Sequence, residues 1–299
     1  MHAGNIFASL VQWLVVKSRG GRIVLRIEDL DRDRSKTEFI EAIPRDYDRL
    51  GLLWDEGPVY QSDRDDIYAG YYDSLSEQGL LYPCFCTRAD LLSASAPHRG
   101  EKTVYSGRCR DLDESARQKA SESRKPAFRV RVPDAEYALD DGFQGSYTQN
   151  LVTDCGDFII RRSDGGFAYQ LAVVVDDGLQ GITDIVRGVD LLCSTPQQLY
   201  LQDLFGFSHP RYWHVPLLVV KEGVRLSKRN RDASLDDMLA VLKSPEAVIG
   251  HIAWVTGLVG KYEPCTPEEL LGSFDASRLR ARWEGCIQIP WVSPEQATR

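Results

Sequence analysis

Gly21-Arg-Ile-Val-Leu-Arg-Ile-Glu-Asp-Leu-Asp31 is a short apolar stretch that passes directly into a cluster of acidic side chains. Its centre, from Arg22 to Ile27, is rich in β-branched residues, which predicts a buried β-strand. Ligands of open parallel sheets bind beyond the carboxyl ends of the strands, so Glu28 and Asp31 lie where a binding site is expected. The same acids could instead cap the next helix and pair with the arginines that follow, and spacing alone leaves both interpretations open.

Helices are predicted on both sides of this strand. Upstream, apolar residues with helical spacing run from Asn5 to Lys17. Downstream, Ser35 followed by Glu38 has the pattern of a capping box, and Ser62 with Asp65 repeats it. This alternation predicts an α/β fold with a Rossmann-like, doubly wound parallel sheet. Further strands are predicted at Asp157-Phe-Ile-Ile160, Leu171-Ala-Val-Val-Val175 and Val215-Pro-Leu-Leu-Val-Val220.

Two segments depart from the alternation. A block rich in cysteine and arginine, residues 82–135, interrupts it and is interpreted as an insertion. From Leu235 onward the apolar pattern is helical, which predicts a C-terminal helical region over residues 235–299. The main α/β domain is therefore predicted to comprise residues 1–81 and 136–234.

Composition and charge exclude several classes of protein. With 43% hydrophobic and 27% charged residues, the 299-residue chain has the balance of a globular protein. No apolar stretch approaches the roughly 18–20 residues that a membrane span needs, and the pattern of a secretory signal peptide is absent. We therefore expect a cytoplasmic protein with no membrane partner. A net charge of −8 argues against a protein that coats nucleic acid.

Two short motifs carry groups suited to a nucleotide. His2-Ala-Gly-Asn5 lies at the start of the first helix, where N–H groups and the helix dipole attract phosphate and Gly4 allows close approach. Val224-Arg-Leu-Ser-Lys-Arg229 follows a predicted buried strand and presents a hydroxyl and the ammonium of Lys228. That ammonium suits the charge that builds on departing pyrophosphate. Each motif alone is weak, and the usual explanation of the second is an exposed turn.

Together and in this order, the two motifs resemble the HIGH and KMSKS signatures of class I aminoacyl-tRNA synthetases. Other segments narrow the resemblance to the glutamyl branch and, with these motifs, span nearly all of residues 2–233. They are Gly21 to Asp31, Tyr60-Gln-Ser-Asp-Arg64, Arg162-Ser-Asp-Gly165, Leu171-Ala-Val-Val-Val-Asp-Asp177, Gly181-Ile-Thr-Asp-Ile-Val-Arg-Gly188 and His214-Val-Pro-Leu217.

The resemblance implies two sets of site residues. Glu28 would hold the α-ammonium of glutamate, while Tyr169 and Arg187 would line the amino-acid pocket, where a forked guanidinium suits a carboxylate. Without the resemblance, Tyr169 would be interpreted as a core tyrosine and Arg187 as part of a surface ion pair. ATP, with Mg²⁺, would bind at His2, Gly4, Asn5, Leu226, Ser227 and Lys228.

The cysteines indicate a structural metal. Seven cysteines in a chain without an export signal are expected to be reduced thiols or metal ligands. Cys84-Phe-Cys86 and Cys109 form a group that favours one zinc ion, which takes four ligands. The fourth ligand stays open: the resemblance implies Tyr105, whereas His98 is the chemically commoner type. With four protein ligands the zinc would stabilise the insertion and not catalyse. The packed thiols would be Cys155, Cys193, Cys265 and Cys286.

Three features favour the truncated glutamyl-queuosine tRNA(Asp) synthetases within this branch. Only 70 residues follow Arg229, too few for anticodon-binding domains; the zinc pattern contains a tyrosine; and Arg187-Gly-Val-Asp190 replaces the Arg-Gly-Glu-Asp of discriminating enzymes. The resemblance implies activation of glutamate with ATP and transfer to the queuosine base at the wobble position of tRNA(Asp). The partners would be ATP, L-glutamate and tRNA(Asp), and we expect a monomer.

One departure from the family leaves alternatives open. The family begins with a strand and loop of the form Arg-Phe-Ala-Pro-Ser-Pro-Thr-Gly, and this chain starts at Met1-His2. We expect Met1 to be an internal residue, and we expect loss of that central strand to expose apolar surface. The alternatives are a fragment of a discriminating glutamyl-tRNA synthetase, an inactive paralogue that binds tRNA or a protein, and another HIGH-type nucleotidyltransferase.

Overall fold

The computed structural model of the protein describes residues 1–31, 37–87, 90, 104–221, 224–226 and 233–297. The predicted capping residue Ser35 and the predicted site residues Ser227, Lys228 and His98 lie outside these ranges. The helices are α1 (Ala3–Lys17), α2 (Thr37–Arg49), α3 (Asp65–Glu77), α4 (Glu114–Ser123), α5 (Tyr169–Leu179), α6 (Thr195–Phe205), α7 (Leu235–Leu242), α8 (Pro245–Thr256), α9 (Pro267–Leu271), α10 (Ala276–Trp283) and α11 (Pro294–Ala297). The strands are β1 (Val24–Ile27), β2 (Glu56–Tyr60), β3 (Leu81–Cys84), β4 (Ala127–Val130), β5 (Glu136–Asp141), β6 (Gly145–Asn150), β7 (Phe158–Arg161), β8 (Asp184–Gly188), β9 (Arg211–Val215), β10 (Leu217–Lys221), β11 (Val224–Arg225) and β12 (Gln288–Pro290).

The strands form small sheets. β1 pairs with β2, β8 with β9 and β10 with β12, all in parallel, as expected for an α/β fold. β3, β4 and β7 form an antiparallel sheet, and β5 and β6 form an antiparallel pair. Within the described residues, β1 and β8 are not hydrogen-bonded to each other. The predicted single doubly wound sheet is therefore divided between these two strands, and a cavity lies at the division.

Helix α1 lies in the centre of the larger hydrophobic core. It is buried along most of its length, as its nearly continuous apolar sequence requires. The ring of Trp283 in α10 meets Phe7 of α1 edge-on at 5.4 Å and Phe143 at 5.0 Å, and its Nε1–H donates to the carbonyl of Thr256. Such ring pairs contribute about 0.5–1.5 kcal/mol each beyond their buried area. The C-terminal helices thus share one core with the start of the chain.

The helical pattern predicted from Leu235 onward is confirmed by α7 and α8. Serines cap both helices, because the side chains of Ser234 and Ser244 accept N–H groups from the first turns. Among the described helices, no single one has the length and apolarity of a membrane span. Helices α7 and α8 have that length and composition only when taken together, and they are bent by 104° relative to each other.

The strand predicted at Leu171 to Val175 is wrong, because this segment lies in helix α5. A short, continuous apolar run is compatible with either a buried strand or a buried helix. The buried residues of α5 run without interruption from Leu171 to Asp177, and the helix packs against α3, α6 and β7. Burial on nearly all sides removes the polar face that would have given the helix a recognisable period.

Two local predictions also need correction. The strand predicted over Val215 to Val220 is divided into β9 and β10, because Pro216 has no N–H to donate to a ladder. The capping role predicted for Ser62 is wrong: α3 begins at Asp65, with Arg64 in the N-cap position and no side-chain cap. The backbone N–H and the hydroxyl of Ser62 instead donate to the buried carboxylate of Asp29, at 2.8 and 2.7 Å.

The predicted insertion, residues 82–135, contains most of β3, all of α4 and all of β4. β4 pairs on one side with β3 and on the other with β7, which follows the insertion in sequence. A smaller hydrophobic cluster, centred on Tyr82, Cys84, Tyr105 and Cys109, lies within this region. The boundaries of the predicted domains stay predictions.

Candidate active site

A cavity of about 300 Å³ lies between β1 and β8 and is closed by α1 and α5. This volume falls at the lower end of the roughly 300–1,000 Å³ that small-molecule sites occupy. The three residues predicted to bind an amino acid all line it: Glu28 directly after β1, Tyr169 at the start of α5, and Arg187 in β8. The fold thus brings together side chains that are far apart in sequence.

The acidic wall of the cavity is organised by Arg26. Its Nη1 donates to Asp177 Oδ1 and to Gln180 Oε1, each at 2.9 Å. Its Nη2 lies 3.8 Å from Glu28 Oε1, a long ion pair, and the Glu28 side chain is 46% exposed. Because the shorter contacts of Arg26 are with Asp177 of α5 and with Gln180 directly after α5, the Glu28 carboxylate is available to a cationic ligand.

Tyr169 supplies a neutral phenol to the same cavity. Burial, together with the nearby Glu28 carboxylate, raises the pKa of Tyr169 to about 12. The hydroxyl therefore stays protonated throughout the physiological pH range. A protonated phenol can both donate and accept a hydrogen bond.

The basic wall of the cavity is the guanidinium of Arg187. Its Nε–H donates to His214 Nε2 at 3.0 Å, its Nη2 donates to Thr195 Oγ1 at 2.8 Å, and its carbon lies 5.1 Å from the ring centroid of Tyr212. These contacts use Nε and Nη2, so Nη1 is not part of them. On the far side of the histidine ring, His214 Nδ1 lies 2.6 Å from Asp141 Oδ2.

His2 is the N-cap of α1. Its Nδ1 accepts the backbone N–H of Gly4 at 3.1 Å and that of Asn5 at 3.4 Å. A Cβ on Gly4 would lie 3.1 Å from Cε1 of the ring, so the glycine gives the imidazole room to cap the helix. The N–H groups that were predicted to meet phosphate therefore point at the imidazole of His2 in this structure.

The chain on both sides of the predicted Ser227–Lys228 site adjoins the start of α1. Ala3 donates its N–H to the carbonyl of Ala233 at 2.8 Å, and His2 forms an antiparallel bridge with Ser234. On the other side, Leu226 is buried in the same core cluster as Ala3. Of the two described flanks, Ala233 and Ser234 thus contact the HIGH-like motif directly and Leu226 shares its core cluster, while Ser227 and Lys228 themselves lie outside the described residues.

A cysteine cluster lies apart from the cavity. The Sγ atoms of Cys84, Cys86 and Cys109 are all within 4.8 Å of one another. Tyr105 Oη lies 3.5 Å from Cys84 Sγ and accepts the backbone N–H of Cys109 at 2.9 Å. Burial raises the pKa of the Cys84 thiol, but hydrogen bonds with Tyr105 and Arg129 outweigh it and the net pKa is lowered. Three convergent thiols, one of them readily ionised, fit a zinc ion.

Comparison with known proteins identifies the family. Residues 1–288 match the model of the tRNA synthetases class I (E and Q), catalytic domain. The chain belongs to this family of class I tRNA synthetases. The glutamyl-Q tRNA(Asp) synthetase of Symbiobacterium thermophilum is 42% identical over 292 residues, covering 93% of this chain and 90% of the relative. That of Nitratidesulfovibrio vulgaris is 41% identical over 293 residues, covering 94% and 90%. The resemblance found in the sequence is therefore confirmed, including its glutamyl-queuosine branch.

A solved structure supports the fold of this class I synthetase. A glutamate tRNA ligase from Elizabethkingia meningosepticum, crystallised with its amino acid, aligns with a TM-score of 0.77 and 24% identity. The alignment covers 99% of this chain and 65% of that chain, so the chain spans less than two thirds of the ligase. At this identity the likeness shows the fold alone, and the α/β class I fold is confirmed at that level.

Three buried side chains next to residues of the candidate site were not singled out from the sequence. The buried carboxylate that accepts hydrogen bonds from Ser62 is that of Asp29, and not that of Glu28 or Asp31. His214 was noted only as part of a family segment, and Asp141 was not noted at all, although both are fully buried behind Arg187. A sequence signal for such a pair is weak, because the two residues are distant in the chain and become neighbours only through the tertiary fold.

Proposed function

We propose that this protein activates glutamate with ATP to form glutamyl-adenylate and then transfers glutamate to the queuosine base at the wobble position of tRNA(Asp). The observation that carries the proposal is the meeting of Glu28, Tyr169 and Arg187 in one cavity at the division of the parallel strands. The names of relatives that match nine tenths of the chain favour the queuosine-modified tRNA as acceptor. A discriminating glutamyl-tRNA synthetase and an inactive binding paralogue are outcomes of the tests below.

The chemistry of the cavity suits an acidic amino acid. Glutamate carries one ammonium and two carboxylates, and the cavity offers the carboxylate of Glu28, the hydroxyl of Tyr169 and the guanidinium of Arg187. Arginine can engage both oxygens of a carboxylate with parallel hydrogen bonds. Glutamine lacks the second negative charge, so pairing of Arg187 with the side-chain carboxylate of glutamate would discriminate against it.

The proposed nucleotide site would combine the start of α1 with the KMSKS-like segment that contains Lys228. His2, Gly4 and Asn5 would contact ATP from the helix start, and Leu226, Ser227 and Lys228 from the other side. A carboxylate oxygen of glutamate attacks the α-phosphorus, and the bond to the bridging oxygen of pyrophosphate breaks. Catalysis would come from positioning of the two substrates and from stabilisation of the phosphate charge, to which Lys228 and a bound Mg²⁺ would contribute.

We further propose that Cys84, Cys86, Tyr105 and Cys109 hold one zinc ion. Three thiolates and a phenol oxygen make a four-member donor set, which a structural zinc site requires. The guanidinium carbon of Arg129 lies 3.8 Å from the centroid of the Tyr105 ring, and its Nε donates to Cys84 Sγ at 3.2 Å. This cation would offset the negative charge of the thiolates. The metal would join the strand end at Cys84 to the turn at Cys109, away from the amino-acid cavity.

Glutamate-dependent exchange of pyrophosphate into ATP, measured without tRNA, tests the activation step. We expect exchange with L-glutamate. With L-glutamine, kcat/KM should be at least about a hundredfold lower, because a buried guanidinium without a carboxylate partner is costly. Exchange that requires added tRNA would favour the discriminating synthetase. A folded protein without any exchange would favour the binding-only paralogue.

A further inference from the structure

Behind Arg187 lies a buried chain of three side chains, which we name the Asp141–His214–Arg187 chain. Asp141 and His214 are completely shielded from solvent, and Arg187 is 9% exposed. Register pairing of β8 with β9 places Arg187 directly beside His214. Asp141 comes from the end of β5.

The hydrogen-bond donors and acceptors of the Asp141–His214–Arg187 chain permit one arrangement of protons. The Nε–H of arginine can only donate a hydrogen bond, so His214 Nε2, at 3.0 Å, must accept it and carry no proton. The single ring proton is then on Nδ1 and is donated to Asp141 Oδ2 at 2.6 Å. Burial, together with the adjacent positive charge of Arg187, lowers the pKa of His214 and outweighs the opposing hydrogen bond with Asp141, in agreement with the neutral ring that the donors require.

We propose that Asp141 and His214 are positioning residues, which fix the orientation of the Arg187 guanidinium so that its remaining N–H groups meet a carboxylate of the amino acid in the cavity. This inference rests on the proposed function and deepens it. Asp141 selects the tautomer, His214 holds Nε, and Thr195 holds Nη2. With two of its three nitrogens held from behind, the guanidinium plane is fixed before the ligand binds, which lowers the entropy lost on binding.

The two oxygens of Asp141 have separate tasks. Oδ1 accepts the backbone N–H groups of Phe143, Gln144 and His214, at 2.9–3.0 Å, and so fixes the turn after β5. Oδ2 contacts the His214 ring. The substitution Asp141→Asn can therefore keep the structural contacts through Oδ1 while it replaces Oδ2 by a donor. The reverse orientation of the amide would point its NH₂ at three N–H groups, so it is disfavoured.

Asp141→Asn is the sharpest test of the proposal. Its new donor faces His214 Nδ1, which moves the ring proton to Nε2, where it meets the Nε–H of Arg187. We expect the KM for glutamate in pyrophosphate exchange to rise about 10- to 100-fold, the effect of losing one hydrogen bond to a charged group. We expect kcat and the KM for ATP to change by less than about threefold. ¹⁵N NMR of the histidine rings should show the His214 proton on Nδ1 in the wild type and on Nε2 in the variant.

Two further variants separate positioning from stability. His214→Asn keeps a donor towards Asp141 and removes the acceptor for Arg187. It should therefore raise the glutamate KM as Asp141→Asn does, and it provides the test if Asp141→Asn fails to fold. Asp157→Asn is the matched control, because this buried carboxylate also accepts a backbone N–H and a hydroxyl, from Val132 and Tyr82, in the sheet of β4. It should lower the melting temperature and leave the glutamate KM unchanged.

Different results would contradict the positioning role of Asp141 and His214 and the proposed function. A glutamate KM that is unchanged in folded Asp141→Asn and His214→Asn, in an active wild type, overturns the positioning role and leaves the proposed function intact. A wild-type His214 that carries its proton on Nε2 also overturns it, whatever the activity. A wild type that binds glutamate in calorimetry, shows the Nδ1 proton and catalyses no exchange contradicts the proposed function alone.

Discussion

Replacing Arg187 by alanine is expected to raise the KM for glutamate in pyrophosphate exchange by roughly thirtyfold to a few thousandfold. Removing one partner of a buried, hydrogen-bonded charge pair costs about 2–5 kcal/mol, and each 1.36 kcal/mol is a factor of ten. Arg187 is 9% exposed and lines the cavity beside Glu28 and Tyr169. The KM for ATP should stay close to that of the wild type, because the proposed nucleotide site uses other residues.

Two comparisons make the result specific. Arg187→Lys keeps the charge but loses the fork and the Nε–H that binds His214, so it should recover only part of the affinity. Arg280→Ala removes an arginine of a surface pair with Asp140, where we expect no change in the KM for glutamate. A folded Arg187→Ala protein with a wild-type KM for glutamate would mean that the amino acid binds elsewhere.

Loss of the proposed zinc ion is expected to have the second large effect. We expect the purified protein to contain one zinc ion per chain and Cys109→Ser to contain none, as measured by elemental analysis. Cys109 is 4% exposed in the small core of the insertion, so removal of the metal leaves the buried thiol of Cys84 and the partly buried thiol of Cys86 without their common partner. Loss of a structural metal site destabilises a fold by more than about 4 kcal/mol, which should appear as an early unfolding transition of this region.

The matched control is Cys155→Ser, because Cys155 is another partly buried thiol and is not one of the clustered cysteines. It should keep its zinc and its melting temperature to within a few degrees. The fourth ligand is tested by Tyr105→Phe against His98→Ala. If Tyr105 is the ligand, only Tyr105→Phe should weaken zinc binding in a chelator competition. Full zinc content in Cys109→Ser would rule out the proposed donor set.

The parts of the fold that could be predicted from the sequence are those with a strong local signal. Helix α1 has helical spacing and begins at Ala3, directly after its N-cap His2, and β1 is a short, largely apolar run that ends at Ile27, directly before Glu28. Helix α5 could not be recognised, because burial on almost every side gives it the same continuous apolar pattern as a buried strand. The division of the parallel strands into separate pairs depends on long-range hydrogen bonds, which leave no local pattern.

The candidate site, too, could be predicted only in part from the sequence. The predicted amino-acid residues Glu28, Tyr169 and Arg187 do line one cavity, and the predicted cysteines do converge. What holds Arg187 in place could not be predicted, since Asp141 and His214 meet only because the turn after β5 lies against β9. Burial alone does not distinguish them, because Asp176 and His251 are equally buried; their contacts with each other and with Arg187 do.

The most direct test of the proposed function is the transfer of labelled glutamate to two preparations of tRNA(Asp), one that contains queuosine at the wobble position and one that lacks it. The proposed function predicts stable incorporation into the queuosine-containing tRNA(Asp) only, and none into tRNA(Glu). Equal incorporation into both preparations of tRNA(Asp), or charging of tRNA(Glu), would contradict it.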